Sequence, residues 1–254
     1  MNIHIYGLDP RLRFCREKLL SELGGFAGDM LILPIPSTRD GKTVLGTDMS
    51  FADIIGEFSP GTVVAGYSLP KEVRALISKS GMTSVDVSRD EELLLANADL
   101  TAVGTVGRIL TEESVAPSGL SVGIIGYGRI GQRLLYILSF LGAGITVFTS
   151  KDEVKRDLCM LGISGADSTS LDTAGCDAFS GLDILINTAP AKLISDSVRI
   201  PEGLRIIELA SGENMPRGIN YERFASVPAV MYPKSAGEAL AASILRMIGK
   251  PKLQ

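Results

Sequence analysis

The sequence predicts an α/β protein built on parallel β-sheets, and three observations carry that prediction. Short apolar runs alternate with longer amphipathic stretches along the chain, as strands joined by crossover helices do. Hydrophobic residues make up 45% of the 254 positions and charged residues 21%, enough apolar surface for a sizeable core. Residues 121–149 read as strand, glycine-rich turn, amphipathic helix and second strand, the form of a βαβ unit.

Taken in order, residues 2–6 read as a strand, followed by a polar turn and a helix over 11–23. Strands follow at 30–33 and 62–65, a helix at 71–79, a strand at 84–87 and a helix over 91–110. The polar stretch Thr38-Arg39-Asp40-Gly41 reads as an ordinary turn, its residues being turn formers. Pro117, Ser118 and Gly119 break the long helical pattern, so a boundary falls within 113–119. The expected domains are therefore 1–113, facing substrate or partner, and 114–254, with the last helix able to cross back onto the first. In the second half, strands are expected at 121–125, 145–149, 183–187, 204–209 and 229–232, and helices at 130–141, 153–161 and 236–248. No internal repeat at a fixed period is present.

Composition excludes several classes. A formal net charge of -4 offers no basic face to nucleic acid. Cys15, Cys159 and Cys176 lie far apart with no CxxC pair, so neither a disulfide framework nor a cysteine zinc site is expected, and a reduced, cytoplasmic setting fits. His4 is the single histidine and falls in a strand pattern, which removes histidine-based metal sites and most imidazole acid–base schemes. The N-terminus has no basic stretch ahead of an apolar one, unlike a signal peptide. The uncharged run from Leu134 to Ser150 is split by Gly142-Ala143-Gly144, so it reads as a helix end and a buried strand, with no membrane span.

The chemistry sits in Gly126-Tyr127-Gly128-Arg129-Ile130-Gly131, which follows the strand SVGII and opens a helix. In G-x-G-x-x-G the first glycine permits the tight turn, the second lets the backbone approach a pyrophosphate, and the third allows close helix–strand packing. The diphosphate then rests on the free N–H groups of the helix start. Both halves are thus expected to be Rossmann-like, the second binding a dinucleotide. NAD sites place a carboxylate at the tip of the second strand. Here that tip is Phe148-Thr149-Ser150-Lys151, two hydroxyls and a cation that suit a 2′-phosphate, so NADP is favoured and NAD is the alternative. Asp152 and Glu153 read as first-turn carboxylates of the next helix. Two later strand ends, Asn187-Thr188-Ala189-Pro190 and Ala210-Ser211, fall where this fold places the nicotinamide ribose.

Several segments together resemble the dinucleotide-binding A chain of dipicolinate synthase. They are Arg89-Asp90-Glu91-Glu92 with Asn97, Thr101 and Gly104, then GYGRIGQRLLYILSFLGAGITVF, ILINTAP, IIELAS, and Tyr232-Pro233-Lys234-Ser235-Ala236-Gly237 with EALAASIL behind it. LILPIPSTRDGKTV, from residue 31, is similar to the family's N-terminal half. The resemblance implies an NADP-binding oxidoreductase, active in sporulation, that works with a separate, flavodoxin-like second subunit. Together they oxidise a dihydrodipicolinate-type intermediate to pyridine-2,6-dicarboxylate, a small aromatic dicarboxylate. The family's Asn motif has Pro and Glu where this chain has Leu100 and Val103, and its Gly-rich segment after LAS is Gly-Glu-Asn-Met-Pro-Arg-Gly here.

Lys234 is the candidate for holding a substrate carboxylate, beside Ser235, which is expected to cap the last helix. Asn97 and Thr101 lie four apart and share a helix face, from which they can donate hydrogen bonds. No metal site is expected, and a homodimer is, as for many proteins of this architecture. Two alternatives compete. A D-2-hydroxyacid dehydrogenase would need a late histidine, and none follows His4. A non-catalytic nucleotide-binding regulatory protein would need only the glycine turn.

Overall fold

The computed structural model describes residues 2–24, 28–172, 178–198 and 200–249; Cys176 lies outside them. The chain divides into two units, one of Met1–Asn97 with Pro228–Gln254 and one of Ala98–Val227.

In the first unit β1 (Ile3–Ile5), β2 (Met30–Ile32), β3 (Val63–Gly66) and β4 (Thr83–Asp86) form a parallel sheet in the order β1-β2-β3-β4. Strand alternation sorts its two faces. Ile3, Met30, Ile32, Val63, Ala65 and Val85 meet Leu12, Cys15 and Leu19 of α1 (Arg11–Glu22) and Leu240, Ala241 and Ile244 of α8 (Pro233–Met247). Leu31, Leu33 and Val64 meet Phe51, Ile54 and Ile55 of α2 (Phe51–Gly56) and Val73 and Ile77 of α3 (Lys71–Lys79). The chain steps across this sheet in one direction, yet α1 covers one face and α2 and α3 the other. The β1–α1–β2 connection therefore has the opposite hand to the two after it.

The second unit carries β5 (Ser121–Ile125), β6 (Gly144–Thr149), β7 (Ser164–Asp167), β8 (Ile184–Asn187), β9 (Arg205–Glu208) and β10 (Glu222–Arg223), all parallel, in the order β10-β9-β8-β5-β6-β7. The chain winds outward from β5 through β6 to β7, then returns to the other side of β5 for β8. One face packs Val122, Ile124, Ile186 and Ile207 on Ala102, Val106 and Ile109 of α4 (Glu91–Glu112) and on Leu134 and Leu138 of α5 (Arg129–Phe140). The other packs Ile125, Phe148, Leu185 and Ile206 on Phe179, Ile194 and Leu204. Leu134–Phe140 and Gly144–Thr149 are thus an amphipathic helix end and a largely buried strand, as the glycine break implied. At the start of β9, Arg205 pairs with Glu113 at 2.6 Å, Glu222 at 2.8 Å and Glu112, tying the end of α4 to the sheet edge.

Departures from the sequence reading have local causes. Residues 229–232 are not a strand; α7 (Val227–Met231) is a helix, with Pro228 in its first turn, where its missing N–H costs nothing. The division between units falls at Asn97/Ala98, inside α4. Leu93 packs in the first unit's core and Ala102 in the second's, so one continuous helix serves both. α2 escaped notice although Ser50 and Asp53 form a full capping box at its start. β7, of sequence SGAD, and the two-residue polar β10 carry no strand signal of their own. α8 begins at Pro233 with Tyr232 as its N-cap, so Ser235 lies in the first turn and does not cap. A proline fits that first position because its fixed φ is already helical.

Candidate dinucleotide-binding site

The glycine turn sits at the point where the strand order reverses, between β5 and β8, the crevice in which open α/β sheets bind ligands. Its three glycines do separate jobs. Gly126 has φ +96°, a left-handed backbone, and a Cβ there would lie 2.8 Å from Thr188 Oγ1. Its N–H donates to the Phe148 carbonyl of β6 at 2.9 Å. Gly131 is buried, and a Cβ there would lie 2.3 Å from the Gly126 carbonyl oxygen. Gly128, the N-cap of α5, has an ordinary φ of -82°, and a Cβ on it would meet nothing within 4 Å. Its glycine is needed for the open space in front of the backbone.

α5 therefore starts with no side-chain cap and no acidic residue in its first turn, Arg129, Ile130 and Gly131. Helix N–H groups and the positive end of the helix dipole face that space, a donor set that fits a pyrophosphate. Tyr127 and Ile130 pack half-buried on the core, and Gln132 Nε2 donates to the Tyr127 carbonyl at 3.1 Å, fixing the turn. At the tip of β6, Thr149 is buried and its Oγ1 accepts from the Lys151 N–H at 3.3 Å. Ser150 and Lys151 are the exposed residues of that tip. Asp152 opens α6 (Asp152–Met160) and pairs with Lys155 at 2.8 Å, as a first-turn carboxylate would.

On the other side of the crevice the end of β8 is tied to the end of β5. Both the N–H and Oγ1 of Thr188 donate to the Ile125 carbonyl at 2.9 Å. Asn187 is buried, and its Oδ1 accepts from the Ala189 N–H at 3.1 Å while its Nδ2 donates to the Ala189 carbonyl at 3.2 Å, shaping the turn ahead of Pro190. The same Nδ2 reaches Glu208 at 3.0 and 3.1 Å, and the Ala210 N–H donates to Glu208 at 2.8 Å. Ser211 is exposed, and its carbonyl accepts from Asn214. Glu208 is fully buried and was missed by the sequence reading. Its signal was an acidic residue inside the apolar run of β9. Burial pushes its carboxyl above the usual range, opposed by the hydrogen bonds from Asn187 and Ala210.

A cavity of about 440 Å³ opens at the end of β7, lined by Ser168, Thr169 and the segment Lys192–Asp196. The structure thus gathers Gly126, Gly131, Thr188 and Ala189 at one point and joins Asn187 to Ala210 through Glu208. Other candidates lie elsewhere. Lys234 is exposed in the first turn of α8, in the first unit. Asn97 is half-buried and ends the first unit's stretch of α4; Thr101 is buried in the second unit, where its carbonyl accepts from Thr105 Oγ1 at 2.8 Å. In the loop of Thr38, Arg39 and Gly41, Asp40 accepts from Thr38, Lys42 and Thr43. These bonds, led by the Thr43 and Lys42 N–H groups, hold its carboxyl well below the usual range and close the turn on itself. His4 stands edge-on to Phe58, a packing contact.

A sheet in the order 3-2-1-4-5-6 with the glycine turn at its reversal defines a Rossmann-type dinucleotide-binding unit. Over 98% of its length the chain has the fold of the dipicolinate synthase A chain. The Bacillus halodurans structure matches with a TM-score of 0.79 at 21% identity, covering 98% of both chains. The Bacillus subtilis structure matches at 0.76 and 19%, covering 98% of this chain and 95% of that one. A transhydrogenase from Sinorhizobium meliloti matches at 0.66 and 17%, covering 98% and 93%. No protein-family model and no curated protein sequence matches.

Proposed function

We propose that this chain is a nicotinamide-dependent oxidoreductase of the dipicolinate synthase type, cytoplasmic, using NADP. The observation that carries the reading is the uncapped start of α5, opening on clear space at Gly128, at the reversal of the sheet order. In this reading the first turn of α5 takes the pyrophosphate, Ser150 and Lys151 take the 2′-phosphate, and the cavity beside Ser168 and Thr169 takes the adenine half. A bound nicotinamide supplies the acceptor for the hydride that leaves when a dihydropyridine dicarboxylate becomes aromatic. The chain's own part is to orient that substrate: Lys234 offers a cation to a carboxylate, and Asn97 and Thr101 offer hydrogen bonds. A homodimer and a flavodoxin-like second subunit belong to the same reading.

Titration with NADPH and with NADH, followed by nicotinamide fluorescence, tests it. NADPH is expected to bind at least about tenfold tighter, since a cation and hydroxyls meet a dianionic phosphate. Lys151→Glu is expected to abolish that preference and leave NADH binding within about twofold. Tighter NADH binding would overturn the reading of the β6 tip. Binding of neither would reduce the second unit to a scaffold. Where NADPH binds, NADP⁺, dihydrodipicolinate and the flavodoxin-like partner are then combined, and NADPH formation is the expected result.

A further inference from the structure

We infer that Glu208 sets the balance between oxidised and reduced dinucleotide at this site, its carboxylate favouring the cationic nicotinamide ring of the oxidised form. The inference rests on the dinucleotide reading above and deepens it. Glu208 is the last residue of β9, 0% exposed, and stands in register with Asn187 of β8 and Arg223 of β10. In this sheet order the half of a dinucleotide beyond the glycine turn lies over the ends of β8 and β9. The residues sealing that end are Asn187, held at 3.0 Å by Glu208, and Ala210, whose N–H donates to it at 2.8 Å.

The charge around Glu208 is only partly balanced. Its donors, the Asn187 and Asn214 amides and the Ala210 N–H, are neutral. They hold the carboxylate in place but do not cancel its charge. Arg223, in register on β10, is the opposing charge: it lowers the Glu208 carboxyl without outweighing burial, and its exposed guanidinium is shared with Glu213 and turned to Tyr221, 5.9 Å from the ring. A cation arriving over the ends of β8 and β9 relieves this imbalance; a neutral ring does not. Burial already raises the Glu208 carboxyl above the ordinary carboxylate range. Binding of the oxidised form must then favour loss of its proton, and by linkage that affinity rises as pH rises through the Glu208 titration. Affinity for the reduced form does not follow this course.

The test measures the dissociation constants of NADP⁺, NADPH, NAD⁺ and NADH for the wild-type chain, Glu208→Gln and Glu208→Asp. Calorimetry in two buffers of different ionisation enthalpy counts protons released on binding. Glu208→Gln is expected to weaken oxidised relative to reduced binding about tenfold. Glu208→Asp, which keeps the charge, is expected to restore most of the ratio. At a pH within the Glu208 titration the wild type is expected to release protons with the oxidised form and not with the reduced one, a readout that loss of mere packing would not produce. An unchanged ratio in Glu208→Gln, with both forms still bound, overturns the inference and leaves the dinucleotide reading standing. Failure of the wild type to bind any of the four overturns both. Should Glu208→Gln not fold, the wild-type ratio of oxidised to reduced affinity, followed as pH falls through the carboxylate range, decides alone, and a ratio that stays flat overturns the inference.

Discussion

Gly131→Ala is expected to cost the chain about 2 kcal/mol of stability and at least about tenfold in dinucleotide affinity. Glycine inside a helix is normally worse than alanine by about 1 kcal/mol, so at an unconstrained site this change would stabilise. Here the added methyl would sit 2.3 Å from the Gly126 carbonyl oxygen and 3.2 Å from its carbonyl carbon. Neither is the end of a flexible side chain, so α5 must move off β5, and the donors at its start move with it. Gly128→Ala supplies the contrast. Its Cβ meets nothing and its φ suits alanine, so stability should stay within about 0.5 kcal/mol. Its methyl would occupy the space proposed for the pyrophosphate, so affinity should still fall. Urea unfolding and an NADPH titration on both variants check the pair. Equal stability losses in the two, or unaltered binding in both, would contradict the division of labour among the glycines.

Gly237→Ala is expected to lower the melting temperature by roughly 5–10 °C, from a loss of about 2–3 kcal/mol. At Gly237 α8 lies directly against the backbone of α1. A Cβ there would lie 2.5 Å from the Arg11 carbonyl, 2.8 Å from Phe14 Cβ and 2.9 Å from the Cys15 N–H nitrogen. Moving α8 away loosens Leu240, Ala241 and Ile244 from the first sheet. The change has a local reporter. The Cys15 thiol is fully buried, and burial, with Asp9 second, pushes it far above the ordinary thiol range, so it should resist modification. Cys159 is exposed and should react at once. Modification of Cys15 should be many times faster in Gly237→Ala. A lower melting point with Cys15 as protected as before would place the damage elsewhere.

The second unit was more legible than the first because its signals are local. The SVGII strand, the glycines and the amphipathic α5 adjoin in sequence, and β5, α5 and β6 fall within a residue of expectation. β10 was hidden because an edge strand of two charged residues, Glu222 and Arg223, carries no apolar pattern. Residues 229–232 misled because a short apolar run does not show its period, whereas Val227 and Ala229 buried beside an exposed Val230 do. Glu208 was hidden for another reason. A carboxylate in a strand is ordinarily read as facing solvent, and only pairing with Asn187 across β8 and β9 reveals a buried one. The boundary within α4 was equally out of reach, since nothing in a continuous helical pattern marks where it passes from one core to another.

α8 also sets an order of events during synthesis. One apolar face of the β1–β4 sheet is closed by Leu240, Ala241 and Ile244, which leave the ribosome only after all of residues 98–227. The second unit can bury its core while the face of Ile3, Met30, Ile32 and Val63 is still open where α8 will lie, beside α1. The unit begun first is thus finished last, and that open face is where a nascent chain would need a chaperone or risk sticking to its neighbours.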